Sequence, residues 1–388
     1  MDLSYSHEDE EFRARVRRWL RLHLAEAAKA PREPSAAIEH AKAWQRRMYE
    51  AGFVGIAWPE AYGGQAASLT QQVVLNEELA RSGAPPLINT IGLNILGPAL
   101  ILHGSEEQKR RFLPRILAAE DIWCQGFSEP DAGSDLAALR TRAVVDGDVF
   151  IVNGQKLWTS LGPIADWCFL LVRTDTAVPK QEGISYLLMD MKSPGVRTAP
   201  IRQITGKRHF SELFLDDVRV PRANLVGELN RGWLIAKATL SFERSGLAGV
   251  VELEHHLEGV RRLAGALGRL QDPLIRQRLV QLLIEKETLK YTGYRALTQQ
   301  LRGAAPGPES AVGKLASSEL RARVMDLALE IEGAYAGIGR GNARALDRGR
   351  WQGLYLDARA YTIGGGTSEV MRNIIAERAL GLPKSTAG

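Results

Sequence analysis

The spacing of apolar residues divides the chain into parts of different character. Over residues 1–121 the apolar positions recur at helical spacing, as in Phe12, Val16, Leu20 and Leu24, which places them on one face of a helix. Ser6 with Asp9 is predicted to form a capping box, and Ser105-Glu-Glu-Gln108 is predicted to cap a further helix. This part is predicted to be an N-terminal helical domain.

From residue 122 to 231 the apolar runs have the length of strands instead. Turn-forming pairs separate them, at Asp146-Gly147 and again at Asn153-Gly154, and such pairs favour hairpins. Helical stretches of the length found in βαβ units do not lie between the runs, which argues against a parallel nucleotide-binding sheet. The pattern predicts a small antiparallel barrel or sandwich.

Long helical patterns return over residues 232–388, where Pro306-Gly-Pro308 separates two of them. The chain is therefore predicted to have an α+β fold with boundaries at 1–121, 122–231 and 232–388.

Composition excludes several classes of function. The 50 basic and 45 acidic residues give a net charge of +5, and basic residues do not form a block interleaved with aromatics, so we expect no nucleic-acid partner. The longest apolar stretch, Leu87–Leu102, contains Asn89, Asn94 and Pro98 and is too short and polar to span a bilayer. A charged N-terminus is unlike a secretory signal.

The two cysteines, Cys124 and Cys168, lie in separate apolar runs without a metal-ligand spacing. We expect them to be buried free thiols, and we expect no metal site. Free thiols fit a reducing compartment, so a cytoplasmic location is predicted.

Two segments carry the strongest functional signal. The first motif, Gly126–Asp135, has the sequence GFSEPDAGSD and follows an apolar run; the second motif, Asn153–Ser160, is NGQKLWTS. Small residues let backbone N–H groups approach a polar ligand closely, and the indole of Trp158 offers a flat wall to a ring system.

Both motifs closely resemble the flavin-binding region of the acyl-CoA dehydrogenase family. The resemblance extends from Gly55–Gly64 (GIAWPEAYGG) to Gly364–Glu369 (GGGTSE). It implies a helical domain, a central β domain and a C-terminal four-helix bundle. It also implies bound FAD and oxidation of an acyl-CoA to the trans-2-enoyl-CoA, in which a carboxylate removes the α proton and flavin N5 accepts the β hydride.

The position of that carboxylate departs from many family members. They carry it directly before the Gly-Thr of the C-terminal motif, where this chain has Gly365. In the branch resembling isovaleryl- and long-chain acyl-CoA dehydrogenases, the base stands on the first long helix of the last domain, just before an arginine. Glu243, before Arg244, matches that position and is predicted to be the base. The ordinary alternative is an exposed glutamate paired with an arginine.

The resemblance also implies contacts to the ligands. Substrate contacts are expected at Ser134, Phe242, Arg244, Gly365 and Gly366, the last two leaving room for the thioester and donating a backbone N–H to its carbonyl. FAD contacts are expected at Gln125, Phe127, Ser128, Ser134, Trp158, Thr159, Ser160, Thr367, Ser368 and Glu369. Phe127 is larger than the aliphatic residue usual there.

A second departure concerns the subunit interface. The family's Arg-x-x-Phe-Gly segment, which reaches a neighbour's FAD pyrophosphate, is replaced by Leu267–Pro273 with Arg269, and Glu330–Ala334 is unusually acidic for an FAD contact. A homotetramer and a hetero-oligomer with a related subunit both stay open. The resemblance implies electron-transferring flavoprotein as the electron acceptor, and a role in fatty-acid or steroid side-chain degradation.

Two other functions stay open at this point. A flavin monooxygenase on the same fold would need no base at Glu243. A non-catalytic subunit completing a heteromeric dehydrogenase would need a partner. The intact motifs and Glu243 favour the catalytic subunit.

Overall fold

The computed structural model describes residues 5–243, 248–301, 307 and 309–384. The chain forms two compact units. One contains Glu8–Leu75 and Ser82–Glu243, and the other contains Met1–His7, Asn76–Arg81 and Arg244–Gly388. The boundaries of the three predicted domains stay a prediction.

Helices form the N-terminal part, as the apolar spacing predicts. They are α1 (His7–Ala27), α2 (Pro34–Glu50), α3 (Leu69–Ser82), α4 (Gly97–His103) and α5 (Glu106–Leu117). The apolar face of α1 is buried at Phe12, Val16 and Leu20. The predicted cap at the start of α5 is confirmed. It is a capping box, because the Ser105 side chain accepts from Gln108 N and the Gln108 side chain accepts from Ser105 N.

A buried pair of amides joins these helices to the first strand. Gln45 Nε2 donates to the carbonyls of Ile116 and Leu117 at the end of α5, at 3.0 and 3.1 Å, and Gln45 Oε1 accepts from Asn89 N at 3.0 Å. Asn89 in turn accepts from Trp123 N at 3.1 Å. Both amides are fully buried, so each lost hydrogen bond would leave a polar group without water.

The central sheet has seven strands: β1 (Trp123–Gly126), β2 (Arg142–Asp146), β3 (Val149–Ser160), β4 (Trp167–Arg173), β5 (Ile184–Asp190), β6 (Val196–Ile201) and β7 (Phe210–Pro221). Their order is β1-β4-β2-β3-β7-β6, with β5 added on β4. Most pairs are antiparallel, but β4 runs parallel to β1 and to β2. The sheet core includes Cys124 and Cys168, which are buried and free as expected.

The two turn-forming pairs behave differently. Asp146-Gly147 makes the predicted hairpin between β2 and β3. The prediction of a second turn at Asn153-Gly154 is wrong, because both residues lie within β3 at a shift of its register with β7. A Cβ on Gly154 would lie 2.5 Å from Thr141 Oγ1, so glycine is required there by close packing rather than by a turn.

Helix α6 (Gly232–Glu243) begins against the sheet. A Cβ on Gly232 would lie 2.5 Å from the Ser185 carbonyl carbon of β5, so only glycine permits this approach.

The second unit is helical. Its helices are α7 (Ala248–Ala266), α8 (Pro273–Leu301), α9 (Glu309–Glu332), α10 (Arg350–Tyr361) and α11 (Ser368–Ile374). The core between them contains Leu257, Leu279, Val324 and the fully buried Trp351. Among the described residues, no helix is long and apolar enough to cross a membrane.

The Gln45–Asn89 pair predicts a large loss of stability from one substitution. Asn89→Leu should lower the free energy of unfolding by about 2–4 kcal/mol, because the Trp123 N–H and the Asp121 carbonyl, which Asn89 binds at 3.1 and 2.8 Å, lose that partner. Chemical denaturation measures this. Asn94→Ala, at an exposed position, is the matched control and should change stability by less than about 0.5 kcal/mol. Equal effects of the two substitutions would contradict the prediction.

Candidate active site

The structure brings the first and second motifs together. The first motif begins at the last residue of β1, and the second motif forms the end of β3. Leu157 N donates to Ser128 O at 2.8 Å. One backbone hydrogen bond therefore joins the two segments at the residues next to Trp158 and Phe127.

A buried ion pair reinforces that junction. Lys156 is wholly buried and Glu129 nearly so, at 0% and 7% exposure, and Lys156 Nζ lies 2.8 Å from Glu129 Oε1. Lys156 Nζ also donates to Phe127 O at 3.2 Å. The two oxygens of Glu129 accept from Arg140 N at 2.6 Å and from Thr141 N at 2.9 Å.

Burial and pairing act against each other on these two charges. Burial alone would raise the pKa of Glu129, but the Lys156 ammonium and the hydrogen bonds lower it below its ordinary value. Burial lowers the pKa of Lys156, and Glu129 opposes that shift. A buried charge without a partner is costly, so each residue requires the other.

Trp158 is presented by strained backbone. Its φ is 60°, in the left-handed region that residues with a Cβ disfavour, and the pairing of β3 with β7 shifts register between Lys156 and Thr159. The indole is 54% exposed and meets Phe210 edge-on at 5.9 Å between ring centroids. A large apolar ring held in this way is available to stack on a planar ligand.

The polar residues of the two motifs and of β1 differ in burial and in hydrogen bonding. Gln125, Ser128 and Ser160 are half-buried, so each of these residues is partly exposed to solvent. Thr159 is fully buried, and its hydroxyl has no hydrogen-bond partner among the described residues. Ser211 donates to the Thr159 carbonyl at 3.2 Å.

Phe127 belongs to an aromatic cluster below the first motif. Its ring meets Phe169 at 5.7 Å and Tyr186 at 5.9 Å, both edge-on, and those two rings are stacked. Burial raises the pKa of Tyr186, which the neighbouring Thr239 hydroxyl partly offsets. Thr239 lies on α6, so the cluster connects the first motif to that helix.

The end of the first motif is held from outside. Ser134 is exposed, and next to it Asp135 accepts from Lys180 Nζ at 2.7 and 2.9 Å. Arg173 donates to the carbonyls of Ala137 and Lys180 at 2.6 and 2.5 Å. These contacts fix the loop while leaving Ser134 open to a ligand.

The predicted base is placed only by its backbone. Phe242 and Glu243 are the last residues of α6, one turn beyond Thr239, and their side chains lie outside the described part of the structure. Arg244 lies outside the described residues.

The remaining predicted contacts lie in the helical unit. Gly365 and Gly366 have φ of 68° and 103°, which only glycine adopts without strain, and Lys314 Nζ donates to Gly366 O. Thr367 caps α11 by accepting from Val370 N at 3.2 Å. Ser368 and Glu369 follow, and Ser368 donates to Glu319 at 2.7 Å.

A cavity of about 380 Å³ adjoins this segment. It is lined by Glu319, Ala322, Arg359, Thr362, Ile363, Thr367, Ser368 and Glu369. Its two carboxylates are each paired with Arg372, at 3.4 Å for Glu319 and 3.7 Å for Glu369.

The two unusual interface segments are engaged within the chain. Arg269 lies 3.5 Å from Asp272, and Glu330 pairs with Arg278. Glu332 is buried and accepts from Gln352 at 2.5 Å, and burial raises its pKa. Among the described residues, no group of His, Cys, Asp and Glu side chains could hold a metal ion.

The residues of the first unit fit a flavin. An exposed indole on strained backbone offers a wall for a ring, and half-buried hydroxyls at Ser128 and Ser160 lie on the two joined motifs beside it. Sequence reasoning missed Lys156 and Glu129. The signal was available, because Phe150, Val152 and Lys156 occupy the same alternate positions of β3, which face the core.

Three family profiles match successive parts of the chain. The acyl-CoA dehydrogenase N-terminal domain matches residues 6–120, the middle domain matches residues 124–218, and the C-terminal domain matches residues 230–380.

Similar proteins cover the whole length. Acyl-CoA dehydrogenase IpdE1 of Mycobacterium tuberculosis is 41% identical, over 98% of this chain and 99% of that protein. The ChsE4-ChsE5 complex from Mycobacterium tuberculosis has a chain of 34% identity and TM-score 0.86, covering 99% of this chain and 100% of that one. A chain of the Tcur3481-Tcur3483 steroid ACAD is 31% identical with a TM-score of 0.86, and the match covers 99% of this chain and 100% of that one.

The strain at Trp158 leads to a test on the protein without ligand. Trp158→Gly should change the free energy of unfolding by less than about 1 kcal/mol, because relief of the left-handed backbone offsets lost contacts and added chain entropy. Thermal or chemical denaturation measures it. Trp123→Gly, in the buried core, should cost at least about 3–5 kcal/mol. A similar cost at both positions would show that Trp158 is an ordinary packing residue.

Proposed function

Because the chain belongs to the acyl-CoA dehydrogenase family, we propose that it oxidises an acyl-CoA thioester to the trans-2-enoyl-CoA with Glu243 as the base. The predicted family, fold class, FAD dependence and oxidoreductase class are confirmed by the three family profiles and by relatives along the whole chain. The base, the ligand contacts and the substrate are parts of the proposal.

The junction of the two motifs is the observation that carries the proposal. Leu157 N and Ser128 O, 2.8 Å apart, bring the exposed indole of Trp158 next to the half-buried Ser128 and Ser160. FAD would be held there, with further contacts at Gln125, Phe127, Ser134 and Thr159. Contacts of FAD with Thr367, Ser368 and Glu369 are a separate part of the proposal. Bound FAD supplies the acceptor for the β hydride.

Glu243 is assigned the proton transfer at the α carbon. An α proton is weakly acidic, so a positioned carboxylate must take it in a site that excludes water. Helix α6 is anchored for this task, because Gly232 packs on β5 and Thr239 adjoins Tyr186 of the aromatic cluster. Glu243 follows one turn later on the same helix.

The C-terminal glycines are assigned to the thioester. Gly365 carries no side chain where other members carry the carboxylate, so it leaves room for substrate. A backbone N–H of Gly365 or Gly366 would stabilise the negative charge that develops on the thioester carbonyl. Phe242, Arg244 and Ser134 complete the proposed substrate contacts.

The description of one similar structure supports a proposed substrate class. One of the similar structures is described as a steroid ACAD, so acyl-CoA thioesters of steroid side chains are the first candidates, ahead of straight-chain fatty acyl-CoA. Electron-transferring flavoprotein is the proposed electron acceptor, and the cytoplasm is the proposed location.

The glutamate assignment predicts a specific defect. Glu243→Gln keeps the shape of the side chain and removes the base, so anaerobic bleaching of bound FAD by an acyl-CoA should slow by about 10²–10⁴-fold while FAD stays bound. Stopped-flow absorbance measures the rate. Glu258→Gln, at an exposed residue of α7 paired with Arg261, is the control and should bleach at the wild-type rate.

Two results would reject parts of the proposal. Wild-type rates in Glu243→Gln would reject the base. If no acyl-CoA bleaches the FAD bound to the wild-type protein under anaerobic conditions, the flavin monooxygenase would be favoured.

An oligomer is part of the proposal as well. Helix α8 exposes apolar side chains along its length, at Leu274, Val280, Leu283, Ile284 and Tyr291, and a solvent-facing helix rarely carries so many. One of the similar structures is described as a complex of two differently named chains, ChsE4 and ChsE5. A related subunit is therefore the alternative to a second copy of this chain.

Light scattering on the protein expressed alone tests the assembly. A dimer or tetramer is expected, because the apolar face of α8 needs a cover, and Val280→Glu with Ile284→Glu should reduce its mass to that of the monomer. Exposed Glu258→Lys is the control and should leave the mass unchanged. A wild-type monomer that stays monomeric with FAD would reject self-association and leave the related subunit as the partner.

A further inference from the structure

We propose that Lys156 and Glu129 are a positioning pair, which fixes the two motifs in the geometry that binds flavin. The inference rests on the proposed flavin site and extends it to residues that touch no ligand. Neither side chain is exposed enough to contact FAD, so any effect must pass through the loops that the pair holds.

The contacts of the pair run along consecutive residues. Phe127 O and the Glu129 carboxylate are both bound by Lys156 Nζ, at 3.2 and 2.8 Å, and Ser128 O is bound by the next residue, Leu157 N. Three successive residues of the first motif are thus held by two successive residues of the second. Ser128 lies between the held residues, and Trp158 comes directly after them.

The carboxylate also fixes the segment that follows the first motif. Glu129 accepts from Arg140 N and Thr141 N, at 2.6 and 2.9 Å, so one side chain connects the start of the loop to the chain entering β2. A lysine in its place could accept none of these N–H groups. The two charges therefore cannot be exchanged, which is expected of a pair that orients backbone.

Stability alone does not account for this arrangement. Apolar residues of similar volume often stabilise a buried site as well as an ion pair does. Directed hydrogen bonds, however, hold backbone atoms in one geometry, and strained backbone persists only where its surroundings determine it fully. Trp158, at φ 60°, lies two residues beyond Lys156 and depends on such anchoring.

The test separates loop position from global stability. The double variant Lys156→Met with Glu129→Gln removes the pair without leaving a lone buried charge. Two quantities are measured: exchange of the Leu157 amide in flavin-free protein, by mass spectrometry of overlapping peptides, and the Kd for FAD, by fluorescence titration. Asn224→Ala is the control, because buried Asn224 donates to Leu188 O at 2.8 Å in the same unit, apart from both motifs.

In the double variant the Leu157 amide should exchange at least about tenfold faster, and the Kd for FAD should rise about 10–100-fold. Asn224→Ala should lower the unfolding midpoint but leave both quantities at wild-type values. If the double variant does not fold, Glu129→Asp, which withdraws the carboxylate by one methylene, replaces it. This variant should show smaller increases in the Leu157 amide exchange rate and in the Kd for FAD.

The outcomes are distinguishable. A folded variant in which either quantity stays at its wild-type value overturns the positioning role, as does a control that loses FAD equally. Wild-type protein that binds no FAD, or binds it equally well after Trp158→Gly, counts against the proposed flavin site itself.

Discussion

A lysine without any solvent exposure is the constraint on which the proposed site depends. Removing the Lys156 ammonium from water is costly, and it is tolerated because Glu129 and Phe127 O lie within 2.8 and 3.2 Å. Those partners lie 27 and 29 residues earlier in the chain, so satisfying one charge forces two distant segments together. That junction places the exposed indole, the flanking serines and the backbone hydrogen bond from Leu157 N to Ser128 O.

Buried polar groups also hold the two ends of β1. This strand has only four residues, too few to be held by its ladder alone. Asn89 binds Trp123 N at its beginning, and Lys156 binds Phe127 O just beyond its end. Buried polar side chains from a turn in the N-terminal part and from β3 thus fix both ends. A short strand anchored in this way can present Gln125 and Ser128 in constant positions, as a cofactor site needs.

The sequence predicts features that depend on local chemistry and misses those that depend on distant partners. The capping box at Ser105 and the hairpin at Asp146-Gly147 use only neighbouring residues, and both are found. Asn153-Gly154 has the composition of a turn but lies within β3, where Thr141, just before β2, leaves no room for a Cβ on Gly154. The parallel pairing of β1 with β4 is equally non-local. Resemblance identifies Trp158 and the serines as candidate site residues. It does not identify Lys156 and Glu129, because charged residues are ordinarily expected to be exposed.

A crystal structure of the FAD-loaded protein would show whether the joined motifs hold the flavin. We expect the isoalloxazine ring in van der Waals contact with the Trp158 indole and within hydrogen-bond distance of Ser128 or Ser160, with the Lys156–Glu129 pair intact behind the two motifs. An isoalloxazine ring bound away from Trp158, or motifs that separate to admit it with Lys156 turned away from Glu129, would show that the junction does not form the flavin site.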